Sequence, residues 1–438
     1  MIVDKDYRIT LPKNIFTSFS ADDFVEVAIG KSNIRSSFYL RIPRKCPSRK
    51  YLQVRRRLPK EVSKYLEIKP FDDIELIEIK KINKINTEAF KDNHFDVLSL
   101  NLEGVMVDLF SKDGQDWVRF WSSSKNGGIT NFVELKRSIP INKKIGEFFG
   151  LMQAESNKRG KKFGFTNIFL SEHRLFIEVA EQLGIRRNKW SIGVIYNPKL
   201  SETEIVNANI HFIKKLSLDK YKVYVSKSQT ITKFAYQIAI NSVILNKVMN
   251  VTLRKLRTES IKLASQNQNF KEFCKGFLLK VLLGDGSVTF PSSQNMQIHI
   301  MEPDKEAQND LVKICRFFNI STNVQGIRLY LSADFESVVW YLKNGAFLGH
   351  EKNRRKLEEY AGRNYYFRTL EQRLKTINLK INSRKFAEIN NIKLPAAKRY
   401  LERSCARGYI NKSKNNRYNL YEINEKGKEF LRIISALK

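Results

Sequence analysis

Phe148-Phe149-Gly150-Leu151-Met152-Gln153-Ala154-Glu155-Ser156 is an apolar helix signal that closes on an acid. About 130 residues later, Leu278-Leu279-Lys280-Val281-Leu282-Leu283-Gly284-Asp285-Gly286-Ser287 repeats it. The chain after each copy is also parallel. Downstream of the first copy, the pattern predicts a strand (Phe163–Leu170), a helix (Glu172–Leu183) and a strand (Lys189–Tyr196). Another helical stretch, a strand (Tyr221–Val225) and a long helix from Thr230 follow. Downstream of the second copy come strands Ser287–Phe290 and Met296–Met301, then helix Asp304–Phe318. Strands around Thr322–Val324 and Ile327–Leu331 and helix Asp334–Asn344 complete it. Ser265-Gln266-Asn267-Gln268-Asn269 is a polar connector. Two α/β halves joined this way make an internal repeat.

Charge then narrows the function. The 438 residues carry 78 Lys and Arg against 45 Asp and Glu, a formal charge of +33. Such a surplus calls for a polyanionic partner, nucleic acid first and an anionic membrane surface second. A hydrophobic content of 42% is enough to bury several cores, and the length implies two to four domains. No run of ~18 apolar residues occurs. The most apolar helical stretch, Phe234 to Val251, is interrupted by Gln237, Asn241, Asn246 and Lys247. Met1–Arg8 does not read as a signal peptide. The expectation is a cytoplasmic, nucleoid-associated protein with no membrane contact. Cys46, Cys274, Cys315 and Cys405 are far apart and form no CxxC pair, which argues against zinc and disulfides.

The amino-terminal region holds a second, smaller repeat. Arg8-Ile9-Thr10-Leu11-Pro12-Lys13 with Asp22-Asp23-Phe24-Val25-Glu26-Val27 is matched by Arg57-Leu58-Pro59-Lys60-Glu61-Val62 with Asp72-Asp73-Ile74-Glu75-Leu76-Ile77. Each copy reads as a strand, a Pro-Lys turn, a short helix and an alternating strand after an acidic turn. The pattern resembles the swapped-hairpin AbrB-type DNA-binding unit, whose two copies interleave. A plain β-rich scaffold with basic turns is the alternative. In residues 83–140, alternation marks strands at Gly104–Phe110 and Trp117–Trp121, and Asn126-Gly127-Gly128 signals a turn. This region either extends the first domain or bridges it to the second.

The paired motifs resemble the two-motif, single-chain LAGLIDADG homing endonuclease family over roughly residues 140–360. The resemblance implies an α+β fold: a pseudo-twofold pair of αββαββα half-domains with a strand saddle, preceded by a small β-rich domain and followed by a winged helix. It implies that the two motif helices pack together through small residues, here Gly150, Ala154 and Gly284. Their closing acids, Glu155 and Asp285, would each hold Mg²⁺ (or Mn²⁺) beside a scissile phosphate. Lys227 and Lys352 are the candidates for steadying phosphate charge. Two positions depart from the family pattern. Lys280 stands where a small residue is expected, and Ser156 replaces the closing glycine. Related folds also serve as regulators that no longer cut.

Strand residues on one face would meet duplex DNA. The first half offers Lys162, Thr166, Arg187, Lys189 and Lys222, and the second Thr289, Gln297, His299 and Arg328. The carboxyl-terminal part resembles a winged helix-turn-helix. Helix Thr369–Ile377 comes first, then a helix capped by Ser383, then one opened by Pro395. That third helix presents Lys398, Arg399 and Arg403, and a basic hairpin follows with Lys412, Lys414 and Arg417. Residues 351–438 hold 23 Lys and Arg against 9 Glu. A helical protein-interaction module is the alternative for this region.

The domains expected are 1–82 (AbrB-like), 83–140 (connecting), 141–262 and 270–360 (the two halves) and 366–438 (winged helix). Three DNA-contacting units would suit a long double-stranded site bound by a monomer with internal pseudo-twofold symmetry. Retention of both acids favours a metal-dependent endonuclease. Lys280 and the added terminal units favour a DNA-binding regulator. A basic groove could also hold RNA.

Overall fold

The computed structural model describes residues 1–11, 19–20, 23–42, 54–82, 88–100, 102, 105–123, 129–156, 162–217, 223–229, 231–292, 295–377, 380–415 and 418–436. Its first elements are Arg8–Leu11 (β1), Phe24–Lys31 (β2), Ile34–Arg41 (β3), Val54–Arg57 (β4), Lys60–Tyr65 (α1) and Glu75–Ile82 (β5). Alternation seals Val25, Val27 and Ile29 of β2 into one core with Phe38, Leu40, Leu58 and Ile74. Equivalent strands of the two small repeats pair with each other, β1 with β4 and β2 with β5, both antiparallel. The acids of the repeats cap their turns alike. Asp23 accepts from the Ser20 amide at 2.9 Å, and Asp72 from the Lys69 amide at 2.6 Å. Each acid also takes a lysine from the other copy: Lys81 to Asp23 at 2.9 Å and Lys31 to Asp72 at 2.6 Å. These lysines hold both carboxyls below their ordinary pKa.

The connecting region adds Phe90–Lys91 (β6), His94–Asp96 (β7), Met106–Lys112 (β8), Gln115–Ser123 (β9), Ile129–Lys136 (β10) and Ser138–Pro140 (β11). It fills both roles open to it, extending the first sheet and bridging to the first half. In the bridge, the Lys136 amide donates to the Leu183 carbonyl at 2.9 Å and Lys255 to that of Ser99 at 3.0 Å. Tyr39 and Leu40 of β3 pair with Leu109 and Asp108 of β8, making one sheet ordered β10-β9-β8-β3-β2-β5. Arg119 is buried on β9, ion-paired to Glu134 at 2.6 Å, with Phe110 and Phe132 rings 5.2 and 5.3 Å from its guanidinium. The Asn126-Gly127-Gly128 turn lies outside the described residues.

The first half runs Lys143–Glu155 (α2), Phe163–Asn167 (β12), Leu170–Gln182 (α3), Ser191–Tyr196 (β13), Glu202–Leu216 (α4), Val223–Lys227 (β14), Phe234–Ile240 (β15) and Val243–Leu263 (α5). This is not the expected αββαββα order, because α3 separates the first two strands and α4 precedes the third. The sheet is ordered β12-β15-β13-β14, with β13 parallel to β14. A parallel neighbour needs a crossover, and α4 supplies it, opened by a Ser201–Glu204 capping box. The stretch from Phe234 is a strand up to Ile240, not a continuous helix. Its burial on both faces erases the two-residue alternation, and Ser242 caps the helix that follows. His173 ties α3 to β15: Nδ1 lies 2.9 Å from the Phe169 carbonyl and Nε2 2.7 Å from that of Tyr236.

Two compact units result, Met1–Leu278 and Leu279–Lys438. Their boundary falls inside Gln268–Asp285 (α6). Within the first unit, the start of α6 crosses α2 at backbone contact. A Cβ on Gly146 would lie 2.9 Å from Phe273 Cα, against its carbonyl, and one on Gly276 would meet the Lys143 carbonyl and Glu147 N at 3.0 Å. The small positions Gly150, Ala154 and Gly284 were legible, but Gly146 and Gly276, nine residues before each acid, were not singled out.

The second unit follows its expected order closely: Gly286–Ser292 (β16), Asn295–Met301 (β17), Lys305–Phe317 (α7), Thr322–Gln325 (β18), Arg328–Leu331 (β19) and Phe335–Asn344 (α8). Asp304 and Asp334 cap α7 and α8. The sheet is antiparallel, ordered β16-β17-β19-β18. Glu351–Arg363 (α9) shields the edge of β16. Asn353 donates to the Gly286 carbonyl at 3.1 Å, and Lys356 to that of Val288 at 2.7 Å. The remainder is Tyr365–Lys375 (α10), Ile381–Asn382 (β20), Ser383–Ile389 (α11), Leu394–Ala406 (α12), Ile410–Asn415 (β21), Tyr418–Ile423 (β22) and Glu425–Ser435 (α13). The cap of α11 is Asn382, with Ser383 already inside the helix. Phe335 of α8 packs on Phe367 and Phe430 at 4.5 and 5.5 Å, so this part is docked to α8.

Two tests follow. Gly146→Val and Gly276→Val should each cost about 1–3 kcal/mol or more in urea unfolding, because backbone cannot yield as a side chain can. Gly362→Ala, on α9 with open space around it, should be neutral or stabilising; equal losses in all three would refute the crossing account. Burial pulls the His173 pKa down to about 4. Its contribution to stability is therefore complete above about pH 6.5 and declines as pH falls toward 4. An imidazole NMR signal for His173 that titrated near 6.5 would contradict this.

Candidate nucleic-acid interface

In the second unit, strand register gathers polar side chains on one face. Ser287, His299, Tyr330 and Asn323 align in a row across β16, β17, β19 and β18. Thr289 pairs with Gln297 on one side of that row, and Arg328 with Met301 and Gln325 on the other. The alternate residues, Val288, Ile298, Ile300 and Leu329, are fully buried on the opposite face. Thr289, Gln297, His299 and Arg328 were expected here and are brought together; Asn323, Gln325 and Tyr330 were missed. The same two-residue alternation in β18 and β19 would have found them.

The chemistry of the face is specific. Arg328 is exposed and is its one cation among the described residues. The rest are neutral donors and acceptors. Burial, and then the Arg328 charge, lower the His299 pKa, so the ring is neutral near pH 7 and can both donate and accept. Its Nδ1 is buried with no hydrogen-bond partner among the described residues. Side-chain amides, hydroxyls and a single guanidinium are groups that read base edges; phosphate neutralisation would call for more cations.

The first unit arranges its residues differently. Thr166, Gln237, Gly193 and Tyr224 share one face of the sheet, with the Gln237 amide donating to Thr166 Oγ1 at 3.2 Å. The cations expected on that face are elsewhere. Lys162 is exposed in the bend before β12. Arg187 sits in a 3₁₀ turn, held by two 2.8 Å bonds to Glu181. Lys189 is exposed in the same turn. Lys227 ends the edge strand, exposed, in the alternation of Val223 and Val225 and so off the face shared by Thr166 and Tyr224. Lys222 lies outside the described residues. Lys189 falls off β13 because that strand starts two residues later than the sequence pattern suggests, at Ser191. Lys352 is exposed near the start of α9, beside the edge-shielding Asn353.

Each candidate acid closes its helix. Asp285 is half-buried and runs directly into β16 without a loop. Glu155 is half-buried, and Asn167 Nδ2 donates to its Oε1 at 3.0 Å. Burial raises the Glu155 pKa, with the amide opposing. Below it, Gln153 is buried and accepts from Arg257 Nη1 at 2.8 Å. A divalent cation would be held by Glu155 and Asp285, and its charge would itself favour the ionised carboxylates. Among the described residues, no group of three or more His, Cys, Asp or Glu could hold a metal ion.

In the carboxyl-terminal part, Ala397, Leu401 and Ser404 of α12 are buried, and Lys398, Arg399 and Arg403 are exposed on the opposite side. Tyr400 stacks on Phe386 at 5.5 Å. The β21–β22 hairpin carries exposed Lys412 and Lys414, Lys412 ion-paired to Glu402 at 2.8 Å. Arg417 lies outside the described residues.

Residues 274–346 match the family model of the WhiA LAGLIDADG-like domain. The match begins in α6, contains Asp285 and the whole polar strand face, and ends just after α8. No curated protein matches the chain. Among the described residues, no helix is long and apolar enough to cross a membrane.

The raised pKa of Glu155 yields a signed prediction. A carboxyl whose folded pKa lies above its unfolded value opposes folding once pH exceeds that unfolded value, ordinarily about 4.3. Glu155→Gln keeps an oxygen for Asn167 and removes the charge. It should raise the thermal midpoint at pH 7, with the gain vanishing below pH 4. A lower midpoint at pH 7 would show that the carboxylate is stabilised where it stands.

Proposed function

We propose that this chain is a sequence-specific duplex-DNA-binding regulator built on a LAGLIDADG-type scaffold that binds without cutting. The observation carrying this reading is the strand face of β16–β19, whose in-register His, Asn, Gln, Thr and Arg side chains suit base edges. Its inclusion in the stretch similar to the WhiA LAGLIDADG-like domain, a version of a fold also used by non-cutting regulators, supports it.

On this reading α10–α13 act as a winged helix. Helix α12 would enter a major groove with Lys398, Arg399 and Arg403, and the β21–β22 hairpin would lie along the backbone. The strand-for-strand pairing of β1 with β4 and β2 with β5 supports an AbrB-type unit at the amino terminus. The surplus of +33 supplies the nonspecific phosphate attraction on which specific contacts build.

The test incubates purified protein with sheared genomic DNA and Mg²⁺ or Mn²⁺, then sequences both retained fragments and newly created ends. Retained fragments should share a site, with no new ends in wild type or in Asp285→Asn. Gln297→Ala and Arg328→Ala should each weaken the selected site about 10- to 100-fold and relax one base position. Lys398→Ala with Arg403→Ala should instead weaken all sequences and flatten the salt dependence. Metal-dependent ends lost in Asp285→Asn would establish a nuclease, and structured RNA outcompeting duplex would redirect the partner.

A further inference from the structure

A cleft of about 980 Å³ opens inside the first unit, away from both strand faces discussed above. One wall is apolar: Phe132 and Val133 of β10, Ile185, Ile240 of β15 and Leu245 of α5. Phe132 is 40% exposed, so part of its ring is open to the cleft. The lining holds six cations, four of them Lys60, Lys64, Arg186 and Lys189, against the carboxylates Glu67 and Glu134. Glu134 is already consumed by Arg119. The four named cations are exposed, and none has an ion-pair partner among the described residues. Lys60 and Lys64 are one turn apart on α1, while Arg186 and Lys189 come from the turn before β13.

These features answer different parts of one ligand. A volume near the top of the usual 300–1,000 Å³ range and a mainly apolar wall are marks of a small-molecule site. Phosphate contacts to a duplex would need the cations but not the wall, and a duplex is far too wide to enter. We propose that this cleft binds an amphipathic organic anion. Its flat or chain-like apolar body would lie on Phe132, Ile185 and Leu245, and its carboxylate, sulfonate or phosphate would lie among the lysines of α1 and the 186–189 turn. The proposal is independent of the DNA-binding reading, because none of the apolar wall serves that reading.

The test uses the full chain and anilinonaphthalene sulfonate, an aromatic anion that fluoresces on entering an apolar site. Saturable binding at one site per chain is expected. Lys60→Glu with Lys64→Glu, both exposed, should weaken it at least tenfold while circular dichroism and the thermal midpoint stay unchanged. Phe132→Ala should lower the bound emission. The uncharged analogue N-phenylnaphthylamine should bind at least tenfold more weakly than the sulfonate. Non-saturating fluorescence, equal affinity for the neutral analogue, or full binding by the double variant would each overturn the proposal. Stoichiometric displacement by duplex DNA would also overturn it, assigning the cations to phosphate instead.

Discussion

The backbone contact between α2 and the start of α6 is the constraint on which the first unit depends. Gly146 and Gly276 leave no space for even a methyl group, so carbonyls of one helix rest against the other. Contact this close fixes the depth and rotation of α2 together, because any roll would drive Phe148 or Phe149, both fully buried, out of the core. With α2 so fixed, Gln153 meets Arg257 in the interior and Glu155 arrives at Asn167. Glu155 owes its position to the close crossing at Gly146 and Gly276, and the Asn167 amide then holds it there.

Charge and shape separate in an informative way. The chain is strongly basic, yet the strand face best suited to DNA carries a single arginine among neutral hydrogen-bonding groups. Cations lie instead on exposed helix faces, in turns and on the hairpin, as in α12 and the 186–189 turn. That division matches the physics of recognition, in which diffuse positive charge supplies affinity and directed neutral groups supply discrimination. Glu155 belongs to neither class. A half-buried carboxyl whose charged form is disfavoured is costly to keep, and such groups concentrate at functional positions.

Legibility differed sharply between the two halves. In the second, strands are half-buried, so apolar and polar residues alternate, and aspartates cap α7 and α8. Every strand and these two helices were readable within a few residues. In the first, β15 is buried on both faces and reads as an apolar run, which merged with α5 into one apparent helix. The strand β3 was passed over because its exposed start, Ile34-Arg35-Ser36-Ser37, lacks a clean alternation. Helix α9 was missed because its buried stripe is only Asn353, Leu357 and Ala361; the spacing of four, with Arg354–Glu358 and Arg355–Glu359 pairs, was the signal available.

The sequence alone determined the chain's strong positive charge, its two helix-ending acids, the paired small repeat at its amino terminus and part of the polar face of β16–β19. All of these follow from composition or from a local period of two or 3.6 residues. Tertiary structure alone decided the rest. It joined β8 to β3, paired β12 with β15 and β13 with β14, lodged Arg119 between two rings, and set lysines of α1 opposite the 186–189 turn across one cleft. None of these leaves a local trace. Pairing between distant strands depends on which edges remain open after nearer ones have closed, and a cleft's lining is drawn from segments more than a hundred residues apart.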